Sequence, residues 1–394
     1  MKKIELLAPA GNLEKVKWAF MYGADAVYFG GRDYGLRANA DNLSIEEIKE
    51  ACTYAHNLGK KVYVTVNIVF HNEDIEGLEK YLIDLYNAKV DAIIISDPLV
   101  LKLAKAIVPN LEIHISTQQN TLNYEACNFW YEEGAKRVVL ARETTKEDMK
   151  SILKNSKIDI EVFIQGAMCS GYSGRCVLSN YLTNRDSNRG GCSQICRWNF
   201  GLYDSNKNEI AKDEFALTAK DLSMITRITE LIDMGITSLK IEGRMRSIYY
   251  IATVLSIYRK VIDEYESIGK VSNIDKYSYE LNRCANRESV VQFYDKEPEQ
   301  YYLGRCEQSN KDFLGIVLDY SKENKEIILE QRNYFKVGDE ITIFGPNTKE
   351  YTFKVKYIKN EKGERIDVAN HPQEIIKIPI DKEVYKNDLI RVKF

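Results

Sequence analysis

The 394-residue sequence predicts an α/β fold: a TIM-like (β/α)8 barrel followed by a small antiparallel β-barrel domain. Three observations predict it. Short β-branched runs alternate with amphipathic segments from residue 4 to about residue 270; a polar, cysteine-rich insertion interrupts the alternation after the seventh run; beyond residue 310 the texture changes to short alternating strands.

The eight runs are "IELLAP", "AVYFGG", "KVYVTVN", "DAIIISD", "EIHISTQ", "RVVLARE", "IEVFIQG" and "SLKIEGR", each followed by a plausible crossover. One crossover carries every signal of a helix. In "LSIEEIKEACTYAHNLG", Ser44 and Glu47 form a capping box, Ile45, Ile48, Ala51, Cys52 and Ala55 make an apolar face, and Gly59 closes the segment. A doubly wound open sheet competes with the barrel on this pattern. The insertion spans 166–215, and the next helix is expected over "LSMITRITELIDMG". Because the insertion follows the carboxyl end of a strand, it belongs to the face where such barrels place their active sites. "IYYIATVLSIYRKVIDEY" reads as the closing helix and "IGKVSNIDKYSYELNR" as a polar linker. The expected domains are therefore 1–270, a linking segment over 271–310, and 311–394, whose strands are "FLGIVLDYS", "KEIILEQR", "DEITIFG", "YTFKVKYI" and "DLIRVKF".

A net charge of −3 gives no overall nucleic-acid footprint, although a local basic surface fits within a neutral total. The amino-terminal stretch lacks the apolar core of a secretory signal, and no apolar run is long enough to span a bilayer. Cytoplasm is the expected compartment, with no membrane partner. Thiols stay reduced there, so clustered cysteines point to metal or redox chemistry before disulfides.

Four of the eight cysteines fall between 169 and 196, spaced C-x6-C, then fifteen residues, then C-x3-C. Zinc sites prefer tighter knuckles, whereas an iron-sulfur cluster accepts looser spacing in Gly-rich loops. Gly171, Gly174, Gly190 and Gly191 let backbone amides approach sulfur, and Arg175, Arg189 and Arg197 offset thiolate charge. The spacing leans toward iron-sulfur, and zinc stays open. Cys52 and Cys127 lie on helical apolar faces as small hydrophobes. Cys284 and Cys306 have no assigned partner.

Strand alternation supplies a second clue. If Ile113 and Ile115 face the helices, His114, Ser116 and Gln118 face the axis; the same parity turns Lys240, Glu242 and Arg244, Thr65 and Asn67, and Phe163 and Gln165 inward. So polar a layer is the expected look of a ligand site. His114, Lys240 and Glu242 are the candidate catalytic groups, though His114 also reads as a satisfied interior histidine and Lys240 with Glu242 as a structural ion pair. Arg32, Arg37 and Arg142, at strand ends, join Asn67, Gln118, Gln165 and Arg244 as candidate substrate-binding residues. Guanidinium forks suit a small dicarboxylate.

The stretch "EVFIQGAMCSGYSGRCVLS", with "LLAPAGN", "YFGGRDYGLRA" and "KIEGRMRS", resembles the collagenase-like peptidase family U32 across the first domain. The resemblance implies more than the residues do. Members of that family hydroxylate RNA and quinone precursors, with four cysteines holding a four-iron four-sulfur cluster; here those ligands are Cys169, Cys176, Cys192 and Cys196, with zinc as the replacement in aerobic preparations. Length and the added β domain make the chain similar to the tRNA-hydroxylating members, which convert wobble uridine to 5-hydroxyuridine with prephenate as co-substrate. That implies tRNA as partner, and a homologous partner subunit is a further expectation. Relatives that hydroxylate a ribosomal RNA cytidine are the alternative. "NRESVVQFY" departs from the family's usual run after the barrel. A peptidase remains the competing enzyme class, yet the sequence has no G-x-S-x-G and no H-E-x-x-H. A structural zinc site on a binding module is the non-enzymatic reading.

Overall fold

The computed structural model describes residues 3–36, 41–295, 297–303 and 310–394, so Arg37 and Cys306 lie outside the described residues. Strands β1 (Glu5–Pro9), β2 (Ala26–Gly30), β3 (Lys61–Val66), β4 (Ala92–Ile95), β5 (Glu112–Ile115), β6 (Arg137–Val139) and β7 (Asp159–Gly166) pair in parallel, each with the next. Helices α1 (Leu13–Met21), α2 (Ile45–Asn57), α3 (Leu78–Asn87), α4 (Pro98–Ile107), α5 (Tyr124–Glu132) and α6 (Lys146–Asn155) connect them. After β7 come α7 (Leu178–Thr183), β8 (Phe200–Tyr203), β9 (Glu209–Ala219), β10 (Asp221–Ser223) and α8 (Ile228–Met234). The eighth barrel strand, β11 (Ser238–Ile241), pairs in parallel with both β1 and β7. That double pairing closes the sheet and excludes the open alternative.

Alternation explains why these segments become barrel strands. Leu6, Val27, Phe29, Val62, Val64, Ile93, Ile113 and Ile115 join the core under the helices. Leu7, Ala26, Tyr28, Tyr63, Ala92 and Ile94 form a separate cluster inside the barrel. In α2 the capping box of Ser44 and Glu47 is present and Ile48, Ala51, Cys52 and Ala55 are buried, while Ile45 is only half-buried.

Two segments differ from expectation. Leu222 and Ser223, expected in a helix, lie in β10, which runs antiparallel to β7 and pairs Ser223 with Gln165. β7 extends past the barrel rim, and β10 satisfies its backbone there. The polar "linker" contains α10 (Ile274–Cys284), which follows the closing helix α9 (Ile248–Ile268). Tyr277, Leu281 and Cys284 fall one turn apart and pack on the core; four charged side chains among eleven residues mask that stripe in the sequence.

Past the short strands β12 (Ser289–Val290) and β13 (Gln300–Leu303), the second domain is a curled antiparallel sheet. Its strands are β14 (Phe313–Ser321), β15 (Glu326–Gln331), β16 (Phe335–Lys336), β17 (Glu340–Phe344), β18 (Tyr351–Lys354), β19 (Ile358–Lys359), β20 (Arg365–Ile366), β21 (Val368–Ala369), β22 (Ile375–Pro379) and β23 (Leu389–Val392). It has its own apolar core and sits on the outer wall of the barrel. Tyr22, which caps α1, donates to the Asn387 carbonyl at 2.7 Å, Tyr249 stacks on Phe313 at 4.8 Å, and buried Arg391 meets Glu280 of α10 at 3.0 Å. Among the described residues no helix is long and apolar enough to cross a membrane.

Arg391→Met leaves the buried Glu280 carboxylate without that partner and is expected to destabilise the protein by about 3 kcal/mol. A lower denaturation midpoint and faster proteolysis between α10 and β14 are the measurements that check it.

Candidate active site

The insertion between β7 and β10 lies over the carboxyl-terminal mouth of the barrel, held there by contacts with three other loops. Beyond β6, Glu143 accepts the Ser173 amide at 2.8 Å and its hydroxyl at 3.1 Å. Beyond β3, Arg189 pairs with Asp74 and donates to the Val69 carbonyl, while the Val69 amide donates to Asn188 at 2.9 Å. Beyond β5, Gly174 packs directly on the Gln118 backbone. Its φ is +73°, and a Cβ there would collide with the Gln118 carbonyl oxygen, so glycine is required twice over. Ser187 and Asn188 donate to the Cys176 carbonyl at 2.5 and 3.0 Å, tightening the loop around the thiols.

Beneath this cover lies a cavity of about 130 Å³, and all four insertion cysteines line it. Thr65, Asn67, Ser116, Gln118, Lys240 and Arg244 line it from the barrel side, with Tyr28 and Phe163 as its aromatic walls. Asn67 donates to Ser116 at 3.0 Å, and its Oδ1 is buried without a hydrogen-bond partner. Arg244 reaches Thr65 at 3.4 Å. Arg142 lies 3.9 Å from the Phe163 ring centroid and meets Glu242 at 3.3 Å. Thus Asn67, Gln118, Lys240, Glu242 and Arg244 come together as the parity argument expects, and Arg142 joins them from its strand end.

Three candidates do not. Arg32 is exposed on the loop after β2. Gln165 turns toward the outer helix layer, where Tyr258 of α9 donates to its Oε1 at 3.0 Å; the register shifts between Phe163 and Gln165 against β11, breaking the alternation. His114 faces the axis but sits at the barrel floor, fully buried, with Nε2 on Glu112 at 2.9 Å and its ring edge-on to Tyr63. Burial, then the nearby Arg137 charge, pushes its pKa below the usual histidine value despite Glu112, so the ring is neutral at pH 7.

Nor is Glu242 the partner of Lys240. The ammonium donates to Glu161 of β7 at 2.8 Å and lies 4.2 Å from the Tyr28 ring centroid. Glu161 also accepts from Arg137 at 3.0 Å; Arg137 in turn meets Glu5 at 2.6 Å, and Glu5 accepts from Tyr63 at 2.6 Å and Ser238 at 2.7 Å. A continuous buried column of charge therefore runs from the cavity to the floor. Burial opposes ionisation of Glu161, but Lys240, then Arg137, hold its pKa down to about 2. Strand parity marks Glu161 as inward-facing; what the sequence conceals is its pairing across strands.

The thiols divide by environment. Burial pushes Cys52, Cys127 and Cys284 up to about 12, which suits inert core groups. Cys169 is exposed and Cys176, Cys192 and Cys196 half-buried around the cavity. Among the described residues no three Cys, His, Asp or Glu side chains are close enough to hold one metal ion. Convergence on a shared cavity suits a multinuclear cluster, which spreads its ligands farther apart than a single ion does. A Cβ on Gly171 would stand 3.5 Å from the Cys176 sulfur, so this glycine keeps one side of that thiol open.

A closed parallel barrel whose mouth is capped by a thiol-rich insertion, with convergent polar groups beneath, defines a barrel enzyme with its site on the carboxyl-terminal face. The chain belongs to peptidase family U32: the family model matches residues 11–303, and the model of the family's C-terminal domain matches 309–391. It is 49% identical to a "tRNA hydroxylation protein P1" of Bacillus subtilis, covering 99% of this chain and 95% of the relative. A "Collagenase" of Porphyromonas gingivalis is 32% identical over 98% of this chain and 96% of that protein. A 23S rRNA 5-hydroxycytidine synthase of Escherichia coli is 37% identical over 66% of this chain but only 39% of its own length.

Glu161→Gln leaves Lys240 and Arg137 short of their shared counter-charge and is expected to cost about 3–5 kcal/mol at pH 7. Because the folded-state pKa lies below the unfolded one, this stability is present above the ordinary carboxylate range and is lost as pH falls from about 4.5 toward 2. Urea denaturation across that range should show the acid-dependent loss in the parent and a flatter profile in the variant. Gly174→Ala should cost about 1–3 kcal/mol and should speed proteolysis within the insertion, read on a gel.

Proposed function

We propose that this protein is a tRNA-modifying enzyme that hydroxylates wobble uridine to 5-hydroxyuridine, using prephenate and a four-iron four-sulfur cluster. The observation that carries the reading is the convergence of all four insertion cysteines on one barrel-mouth cavity that also holds Asn67, Lys240 and Arg244. Near-complete mutual coverage with the tRNA hydroxylation relative favours tRNA over ribosomal RNA.

Cys169, Cys176, Cys192 and Cys196 would hold the cluster, which when bound supplies one-electron transfer that side chains perform poorly. The chain's own residues do the rest. A uracil flipped into the cavity meets the unsatisfied Asn67 Oδ1, an acceptor for the base's N3–H. Tyr28 and Phe163 provide flat apolar walls for the ring. Lys240, fixed by Glu161, sets a cation where negative charge develops on a base carbonyl. The C5–H bond becomes C5–OH, a two-electron oxidation of the base balanced by two-electron reduction of the oxygen donor. His114, below the cavity and bonded to Glu112, does not line the space where the base would sit. Lys240, Glu242 and Asn67 are the candidates for contact with the reacting base.

The collagenase likeness favours hydrolysis, which in a thiol enzyme needs a cysteine beside a base. No histidine lines the cavity among its described residues, and His114 is engaged by Glu112.

Protein purified without oxygen is expected to be brown, with iron and sulfide in equal amounts, and Cys176→Ser should lose most of both. Cells lacking the gene and any paralogue should lose 5-hydroxyuridine from tRNA, measured by nucleoside mass spectrometry. Retention of the modified base in that strain rejects the reading.

A further inference from the structure

Adjoining the barrel cavity, and sharing Arg142, Cys169, Cys192, Cys196 and Glu242 with it, lies a second cavity of about 370 Å³. Its volume falls within the roughly 300–1,000 Å³ of small-molecule sites. Four arginines line it: Arg142, Arg197, Arg246 and Arg287. Among its described lining residues Glu242 is the single carboxylate, and it meets Arg142 at 3.3 Å. Asp221, behind the wall, holds two of the guanidiniums on one carboxylate, Arg246 at 3.3 Å and Arg287 at 2.9 Å. Arg197 is 8% exposed. Its Nη2 donates to the Met168 carbonyl at 3.2 Å, while its Nη1 is buried without a hydrogen-bond partner.

A buried guanidinium proton with nothing to bond is costly, and a cation so placed costs more unless an anion meets it. Among the described residues Glu242 and Asp221 meet three of the four guanidiniums, and Arg197 has the Cys169 and Cys196 thiols near it. Arginine forks, rather than lysine points, match planar carboxylate or tetrahedral phosphate oxygens. The depth of Arg197 suits a small guest better than a polymer backbone, which contacts exposed cations.

We infer that this second cavity is a binding site for a small dianionic oxyanion, a dicarboxylate or a phosphate monoester, held by Arg197, Arg246 and Arg287. The residues differ from the strand-end arginines that the sequence singles out. The site rests on charge and geometry; only the guest's role as co-substrate rests on the hydroxylase reading. Because Cys169, Cys192 and Cys196 line both cavities, the guest and a base in the barrel cavity would approach the same thiols.

The test is calorimetric titration of the anaerobically purified full-length protein, once with malonate and once with inorganic phosphate, in low-salt buffer. Saturable one-to-one binding of either anion is expected, the tighter one telling carboxylate from phosphate. Arg246→Gln should weaken it at least about tenfold, Arg246→Lys less so. Asn286→Asp, which adds a negative charge to the wall, should abolish it without removing any guanidinium. Arg185→Gln, on the exposed part of the insertion, should leave it unchanged. Absence of saturable binding to the parent overturns the inference and returns these arginines to balancing thiolate charge. Equal affinity in the parent and in both cavity variants, with folding and iron content intact, overturns it too. Since the readout is binding, its failure is separate from any loss of tRNA modification in cells.

Discussion

A single buried carboxylate on the seventh strand organises the interior of this barrel. Glu161 joins Lys240 of β11 to Arg137 of β6, and through Arg137 the bonds continue to Glu5 of β1 and Tyr63 of β3. An ion pair of this kind gains little over well-packed apolar side chains but is severe to break. Its value is geometric. Lys240 could otherwise extend toward solvent or toward Glu242; held by Glu161 against the Tyr28 ring, its ammonium has one position. The strands that supply the column include β7 and β11, whose pairing closes the barrel, so closure and placement of the cation are one constraint.

The insertion depends on the same rim. Its polar, Gly-rich chain cannot make a core of its own, and among its described residues only a few, such as Met168 and Ile195, are buried apolar groups. Hydrogen bonds to loops beyond β3 and β6 and the close approach of Gly174 to Gln118 fix it instead. A segment held by polar contacts around its edge can present four thiols to one space without burying them in hydrocarbon. That distinguishes them from Cys52, Cys127 and Cys284, whose surroundings suppress the thiolate.

Much of this was legible in residue order. Eight runs with inward and outward parity were enough for the barrel, and parity turned Asn67, Lys240 and Arg244 toward its axis. It failed at Gln165 because a shift in register is a property of two strands and leaves no mark in one. His114 shows a different limit: parity tells which way a side chain points but not how high along the axis it stands, and the floor and mouth read alike. The helix at 274–284 was hidden because four charged side chains among eleven residues outweighed a narrow apolar stripe. The partnership of Glu161 with Lys240, seventy-nine positions apart in the chain, needed the closed barrel to be visible at all.

The cysteine loop borders two adjoining spaces. The barrel-mouth space is lined by amide, hydroxyl and aromatic groups, with Arg142, Lys240 and Arg244 as cations; the adjoining space is lined by four guanidiniums. Neutral, planar, hydrogen-bonding chemistry suits the first space and oxyanion chemistry the second, and neither lining would hold the other's guest well. Arg142 and Glu242 stand in both walls and bind each other, so a guest that engages Arg142 in one space acts on a group that also lines the other. Two reactants of unlike chemistry can then meet at one set of thiols, since Cys169, Cys192 and Cys196 line both spaces.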